Sequence, residues 1–198
     1  MSDSDEASDQ ALAARAVGGD QGAFAELMRR HKGWLYRFIR RYVRDAEDAY
    51  DVVQESFASA WVALGRYDRE RSFDIWLRRI ALNKCRDRAR KAAVRRVLFG
   101  TAAPPESRPE IADPAVGPDE SAAARRALAR LEAAIAALPA GLREPLVLTA
   151  LEGLSHKEAG EVLGLNPKAV ETRIYRARKQ LALALDRADL DDLAPSDD

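Results

Sequence analysis

The sequence has few residues of the kinds that build cross-links, metal sites or membrane spans. Its 198 residues include one cysteine, Cys85, and two histidines, His31 and His156. One cysteine excludes an intramolecular disulfide and a cysteine-cluster zinc site, and two histidines exclude a histidine-rich metal site. No apolar run approaches the roughly 20 residues that span a membrane, and the acidic amino terminus differs from a signal peptide. We therefore predict no metal, no cofactor, no membrane insertion and a cytoplasmic location.

Motifs of catalysis are also missing. The sequence has no glycine-rich phosphate loop, no paired-histidine helix and no Ser/His/Asp arrangement that its two histidines could support. Carboxylates are plentiful, but none lies in an evident apolar pocket. We therefore predict that the protein is not an enzyme and has no catalytic residues.

The charges are segregated along the chain although the formal net charge is zero. Residues 66–96 hold twelve basic and four acidic side chains, and residues 167–180 hold five and one. Residues 45–55 hold five acids and no base, and both ends of the chain are acidic. The basic regions favour contacts with nucleic acid, whereas the acidic region favours a basic protein partner.

Helical periodicity predicts an all-α fold of two small helical domains joined by a flexible linker. Within the first domain, Asp20 is predicted to cap one helix, and a further helix is predicted to begin after Gly33. The linker is rich in proline and shows no periodicity. From the amino end we divide the chain into a disordered acidic segment, a first domain, the linker, a second domain and an acidic tail. Their predicted bounds are residues 1–9, 10–97, 98–119, 120–185 and 186–198.

The helix predicted over residues 45–64 has two different faces. Apolar residues at helical spacing are predicted to pack inward: Tyr50, Val53, Phe57, Ala60 and Trp61. The other face presents an acidic and amide stripe: Asp48, Asp51, Gln54 and Glu55. These acids have no Lys or Arg on their own helix with which to form i,i+4 pairs. A merely solvated face and a binding surface for a basic protein both remain open.

A charged loop and a basic helix follow this acidic helix. The loop, residues 65–72, ends at Ser72, which is predicted to cap the next helix. Aromatic and arginine side chains are interleaved here, a pattern that suits unstacked bases held against a phosphate track. We predict that Phe73, Ile80 and part of Trp76 pack in the core, while the loop and the outward basic face contact nucleic acid.

Near the carboxyl end, two short helices are predicted in the arrangement of a helix-turn-helix. Ser155 and Glu158 form a capping-box pattern at the start of the first helix. Gly164 can take the left-handed conformation that ends this helix. Asn166 then suits a cap, and Pro167 suits the first position of the second helix, where a missing N–H is harmless.

The outer face of the second helix combines basic, acidic and hydroxyl side chains: Lys168, Glu171, Thr172, Arg173 and Arg176. Arg and Lys read guanine and Glu accepts from cytosine, so this face suits the major groove of DNA. A helical hairpin with a solvated basic face is the alternative. Other helices are predicted before Pro139 and over residues 141–150, with Pro145 in the first turn, and the last helix is predicted to end near Leu185.

Two stretches of the chain resemble the extracytoplasmic-function (ECF) group of bacterial RNA polymerase sigma factors. Residues 48–57 read Asp-Ala-Tyr-Asp-Val-Val-Gln-Glu-Ser-Phe, close to the family's Asp-Ala-Glu-Asp-Val-Val-Gln-Glu-x-Phe, and the likeness continues through residues 72–83. The second stretch runs from Leu138-Pro139 through Arg143-Glu144 and Glu152-Gly153 to the hairpin. Together the two stretches cover most of residues 10–94 and 120–184 in the family's order.

The resemblance implies an alternative sigma factor that binds core RNA polymerase and directs promoter-specific initiation. Its first domain would be sigma region 2, which binds the β′ clamp helices and melts and reads the −10 element. Its second domain would be sigma region 4, which reads the −35 element and rests on the β flap. It further implies control by an anti-sigma factor, which in some cases holds the sigma factor at the membrane.

Site residues carried over from the family fall on the three surfaces described above. The polymerase contacts would be Asp48, Asp51, Gln54 and Glu55. The −10 contacts would be Arg66, Tyr67, Arg69, Arg71, Trp76, Arg79, Asn83 and Arg86. The −35 contacts would be Lys168, Glu171, Thr172, Arg173 and Arg176.

Three residues depart from the family's pattern. Tyr50 replaces an acid, and Pro145 is unusual in its helix. Gly160 replaces alanine, at up to about 1 kcal/mol of helix propensity. The alternatives to a sigma factor are a stand-alone helix-turn-helix regulator and a protein-binding helical adaptor. The sequence specifies neither the inducing signal, nor the promoter, nor a redox role for Cys85.

Overall fold

The computed structural model describes residues 7–43, 45–99 and 122–193, and every regular element within them is helical. The chain divides into two compact units, Met1–Ala102 and Ala103–Asp198. The predicted all-α class with two helical domains is therefore confirmed. Most of the predicted disordered amino terminus and of the predicted linker, and the end of the predicted tail, lie outside the described residues.

The described part of the first unit consists of four helices and a short 3-10 turn. Their bounds are Asp9–Val17 (α1), Gln21–Arg40 (α2), Ala46–Ala63 (α3), Leu64–Arg66 (the 3-10 turn) and Phe73–Phe99 (α4). Ser8, Asp20 and Asp45 cap the first three helices, because each side chain accepts the backbone N–H three residues later, at 3.2, 3.0 and 2.9 Å. These bonds satisfy N–H groups that would otherwise lack a partner within the helix.

The core of the first unit lies where α2, α3 and α4 meet. The large side chains that are almost wholly buried there are Leu27, Leu35, Phe38, Ile39, Val52, Phe73, Leu77 and Leu82. A polar network attaches α1 to this core through His31, which is only 6% exposed. Its Nε2 lies 2.7 Å from a carboxylate oxygen of Asp9, and its Nδ1 accepts the indole N–H of Trp34 at 2.7 Å. Since indole only donates, Nε2 carries the proton and donates to Asp9.

Three predictions for the first unit are wrong. Gly33 does not separate two helices, because its backbone stays helical within α2, without the left-handed φ that ends helices elsewhere in the chain. Tyr50 is 47% exposed and Trp61 is 38% exposed, although both were expected in the core. The buried stripe of α3 runs through Ala49, Val53 and Ala60, so Tyr50 falls at its edge.

The other core predictions for α3 and α4 are confirmed, except the one for Ile80. Val53, Phe57 and Ala60 are buried, as is Phe73 at the start of α4. Trp76 and Ile80 are half-buried, so Ile80 reaches the core less fully than expected.

The described part of the second unit contains four helices and a π-helical segment. Their bounds are Ala122–Ala137 (α5), Ala140–Leu146 (α6), Val147–Leu151 (the π-helical segment), His156–Leu163 (α7) and Pro167–Leu193 (α8). Pro145 is the sixth residue of α6, so the prediction that it lies in a first turn is wrong. The last helix also continues beyond Leu185, to Leu193. Acidic residues do not themselves end a helix, and after Pro167, its first residue, the sequence has no glycine or proline before Pro195.

The predicted caps and helix ends of the helix-turn-helix are confirmed. The Ser155 hydroxyl accepts the Glu158 N–H at 3.2 Å, and the Glu158 carboxylate accepts the Ser155 N–H at 2.8 Å. Gly164 ends α7 with φ of 70° and ψ of 36°. The Asn166 side chain accepts the N–H three residues later at 2.8 Å, and α8 begins at Pro167. These caps fix where each helix of the hairpin starts.

Gly160 serves the close approach between α7 and the turn that follows it. A Cβ atom at this position would lie 2.5 Å from the carbonyl oxygen of Leu165. The Leu165 N–H also donates to the Gly160 carbonyl at 2.9 Å, so the two backbone segments are tied together. Packing therefore requires glycine at this position, and this requirement explains why a residue of low helix propensity occurs inside α7.

Candidate nucleic-acid and protein interfaces

An acidic surface covers the outer face of α3. Asp51, Gln54 and Glu55 are exposed there, as predicted from the helical period. Asp48 differs from them because its carboxylate forms an ion pair with the guanidinium of Arg88, on α4. Sequence patterning could not find this pair, because the two residues are forty positions apart and belong to different helices.

Aromatic and apolar side chains adjoin this acidic surface, and the sequence analysis missed them. The rings of Tyr50 and Tyr36 are stacked with centroids 4.5 Å apart. Val62, two turns beyond Glu55 on the same helix, is 85% exposed. Helical spacing could have identified Val62, since seven residues separate it from Glu55. The face therefore offers apolar contact beside its carboxylates.

Four of the predicted DNA contacts share one face of α4. Trp76, Arg79, Asn83 and Arg86 recur every three or four residues, which places them on one side of a helix. Arg79 and Asn83 are exposed, and Trp76 and Arg86 are half-buried. Arg86 donates to the side-chain oxygen of Asn83 at 3.1 Å. The structure thus brings an aromatic ring, an amide and guanidinium groups together on one surface.

The beginning of α4 is fixed by Arg78, which the sequence analysis did not select. Its guanidinium carbon lies 4.3 Å from the ring centroid of Trp34, and Nε donates to Asp74 at 3.0 Å. The side chain is largely buried, so a cation–π contact and an ion pair together hold it between α2 and α4. This contact supports the face that carries Trp76.

The loop before α4 presents exposed arginines at Arg66, Arg69 and Arg71. Tyr67 is placed differently from its companions: it is only 6% exposed, so it offers no open ring for a base to stack on. Its ring centroid lies 5.7 Å from Phe73 and 5.0 Å from Trp76. In sequence, an aromatic residue in a charged loop suggests a ring on which a base can stack. The ring of Tyr67 is buried, so it cannot take that role.

The outer face of α8 carries the predicted −35 contacts. Lys168, Glu171, Thr172 and Arg176 are exposed, whereas Arg173 is half-buried with its guanidinium beside Gly141 of α6. Several of these groups already have partners on the helix. The Lys168 ammonium donates to Glu171 at 2.8 Å and thereby lowers the pKa of that carboxyl. The Thr172 hydroxyl donates to the Lys168 carbonyl at 2.9 Å.

Tyr175 belongs to the same face of α8 but was not predicted. It is 69% exposed and follows Glu171 by four residues and Thr172 by three. The i,i+3 and i,i+4 spacing that selected its neighbours would have found it. A phenol here adds apolar area and one hydroxyl to a surface otherwise made of charged groups.

Other kinds of site are not evident among the residues that the structure describes. No group of three or more His, Cys, Asp or Glu side chains in those ranges could hold a metal ion. None of the described helices is both long and apolar enough to cross a membrane. Cys85 is buried, with 4% of its surface exposed.

Comparisons with known proteins agree on one family. A family model described as Sigma-70 region 2 matches residues 27–95, and one described as Sigma-70, region 4 matches residues 128–181. RNA polymerase sigma factor CnrH of Cupriavidus metallidurans is 44% identical over 183 residues, which cover 91% of this chain and 96% of that protein. ECF RNA polymerase sigma factor SigM of Mycobacterium tuberculosis is 34% identical over 180 residues, covering 91% and 86%.

A solved structure shows the same likeness in three dimensions. The structure of CnrH in complex with the cytosolic domain of CnrY superposes with a TM-score of 0.64 at 40% identity, and the match covers 90% of this chain and 97% of that one. The helical order described above is therefore shared with a chain of known structure along nearly its whole length.

Proposed function

The chain belongs to the ECF subfamily of the sigma-70 RNA polymerase sigma factors, and from that premise we propose how its three surfaces divide the work of initiation. As an alternative sigma factor it binds core RNA polymerase and directs it to specific promoters. The observation that carries the proposal is the separation of charge: one acidic face on α3, and basic faces on α4 and α8. A protein that must hold both a polymerase and DNA needs surfaces of opposite sign.

The outer face of α3 is proposed to bind the β′ clamp helices. Asp51, Gln54 and Glu55 are exposed and can accept hydrogen bonds from basic side chains of the partner. Asp48 would join them by exchanging Arg88 for a cation of polymerase. The neighbouring Tyr36–Tyr50 stack and Val62 would add apolar contact around the charges.

The loop before α4 and one face of that helix are proposed to open and read the −10 element. Exposed arginines can follow the phosphates, and the amide of Asn83 can pair with a base edge. Trp76 is half-buried, so its free edge can contact a base that has left the stack. The proposed contacts are Arg66, Arg69, Arg71, Trp76, Arg79, Asn83 and Arg86, with Tyr67 acting from beneath them.

The outer face of α8 is proposed to read the −35 element in the major groove, with the second unit resting on the β flap. Lys168, Glu171, Thr172, Arg173 and Arg176 can supply donors and acceptors to base edges and phosphates. Their existing bonds to one another orient the side chains without burying them. A single short recognition face should bind weakly alone, so polymerase would supply the second point of attachment.

The protein is proposed to perform no covalent chemistry and to act in the cytoplasm, where core polymerase and promoter DNA are found. The test is transcription in vitro with core polymerase from the source bacterium and a genomic promoter library. We expect start sites that require both proteins. If the mixture binds DNA stably yet starts no new transcript, the proposed division of work is wrong.

Control by an anti-sigma factor is also proposed. It rests on the likeness to CnrH, which has been solved bound to the cytosolic domain of another protein. Such a partner would cover the polymerase-binding faces, and a membrane-anchored partner would hold the sigma factor at the membrane. We expect the protein to co-purify from unstressed cells with one stoichiometric inhibitor. Recovery of a free, active protein from those cells would contradict this control.

Replacing Arg176 by alanine should weaken promoter use without affecting polymerase binding. A lost bidentate contact is worth about 2 kcal/mol, so affinity of the holoenzyme for promoter DNA should fall about thirtyfold. Electrophoretic mobility shift and polymerase pull-down measure the two properties separately. The matched control is Arg126→Ala, which removes an exposed arginine from α5 of the same unit. Loss of polymerase binding in Arg176→Ala would show that this face of α8 had been misassigned.

A further inference from the structure

Residues 67–71, which follow the 3-10 turn and precede α4, form a turn that is closed by four hydrogen bonds. The Tyr67 hydroxyl donates to the carbonyl of Arg71 at 2.5 Å. The Arg71 N–H donates to the Asp68 carbonyl at 3.0 Å. The Asp68 carboxylate accepts the Glu70 N–H at 3.1 Å and the Arg71 Nε at 3.2 Å. A segment of exposed charged side chains is therefore held in one backbone shape.

Tyr67 anchors this turn to the core of the first unit. Its ring packs against both Phe73 and Trp76, and almost none of its surface reaches solvent. Burial, together with the carboxylates of Asp9 and Asp68, raises the pKa of its phenol. The hydroxyl thus stays protonated at neutral pH and remains a donor to the Arg71 carbonyl.

The anchored peptide carries the groups that the proposed function assigns to DNA. Arg69 and Arg71 extend from the turn, and Ser72 leads into α4, where Trp76 begins the DNA-facing side. A flexible turn would have to be ordered each time that a base entered, and ordering side chains and backbone opposes binding. A turn that is already closed avoids that loss, and it holds its arginines in one place relative to Trp76.

We propose that Tyr67 and Asp68 are positioning residues for reading an unpaired base. Tyr67 acts from inside the fold by fixing the Arg71 carbonyl, and Asp68 closes the turn from the outside. Neither needs to touch the base. The inference rests on the proposed function, because it assumes that the loop and α4 meet the single-stranded −10 element. It goes beyond that function because it makes the buried hydroxyl of Tyr67 contribute to discrimination between DNA sequences.

The test uses Tyr67→Phe, which keeps the ring and removes only the hydroxyl. Wild-type holoenzyme first selects its preferred sequence from a single-stranded DNA pool randomised over the length of one −10 element. Affinity for that oligonucleotide, and for versions with one changed base, is then measured by fluorescence anisotropy. For Tyr67→Phe we expect about fivefold weaker binding of the selected oligonucleotide, the effect of one hydrogen bond, and much less change for the altered ones. Asp68→Ala should shift the ratio in the same direction.

Tyr42→Phe serves as the matched control, since it removes a phenolic hydroxyl from the same unit, near the end of α2. It should leave both affinities unchanged. Equal discrimination by Tyr67→Phe and wild type would overturn the inference. So would a uniform loss for all oligonucleotides with a lower melting temperature, because that pattern indicates a structural role only. If wild-type holoenzyme selects no sequence, the proposed function itself fails, and the positioning role fails with it.

Discussion

Reversing the charge at both Asp51 and Glu55 to lysine should lower affinity for core polymerase about a hundredfold, because like charges placed across an interface cost several kcal/mol. Both carboxylates are exposed on one face of α3, one helical turn apart. The substitutions bury nothing new, so the fold should survive. Biolayer interferometry with immobilised core enzyme measures the affinity, and circular dichroism checks that the melting temperature is unchanged.

The control for this experiment carries the same change in net charge elsewhere. Glu161→Lys with Asp186→Lys alters two carboxylates of the second unit, on α7 and α8, and should leave clamp binding within about twofold, because neither carboxylate belongs to the α3 face. Wild-type affinity in the Asp51/Glu55 variant would mean that polymerase is held by another surface. Equal losses in both variants would mean that net charge, rather than the α3 face, governs binding.

Gly160→Ala should destabilise the second unit by about 2 kcal/mol, even though alanine is the better helix former. The added methyl would lie 2.5 Å from the Leu165 carbonyl oxygen, which belongs to the backbone and cannot rotate away. The hairpin must open, and the Leu165 N–H bond to the Gly160 carbonyl lengthens with it. The melting temperature of the unit should fall by roughly 10 °C, and amide hydrogens of α7 should exchange faster.

Gly141→Ala offers a matched comparison inside the same unit. A Cβ at position 141 would meet only the Arg173 guanidinium, at an ordinary 3.9 Å. Alanine should therefore be neutral or stabilise the unit by up to about 1 kcal/mol. If Gly160→Ala were as stable as wild type or more so, the close approach of α7 to the turn would not be a constraint, and the sequence-based reading of Gly160 as a propensity loss would stand.

Residues that cap or end helices made most of the fold predictable. Asp20, Ser155, Gly164 and Asn166 each determine a helix end through their own side chain or φ angle, and such signals act within three or four residues. The acidic and basic faces follow equally from helical spacing. These features need no knowledge of tertiary contacts.

The errors arise where packing decides between local alternatives. Gly33 could end a helix, but the apolar stripe on both sides of it buries against the core and keeps α2 continuous. Tyr50 was expected in the core but is exposed, and Tyr67 was expected at the surface but is buried. In both cases the neighbouring helices, which lie far away in sequence, determine how much of the ring is covered. The Asp48–Arg88 ion pair belongs to the same class.

The Asp48–Arg88 ion pair makes the four proposed polymerase contacts unequal. Asp51 and Glu55 are exposed, whereas Asp48 already neutralises a guanidinium of the same unit. A polymerase cation that binds Asp48 must therefore displace Arg88 first. That contact should contribute less binding free energy than one made by an exposed carboxylate, because an existing ion pair is lost when the new one forms.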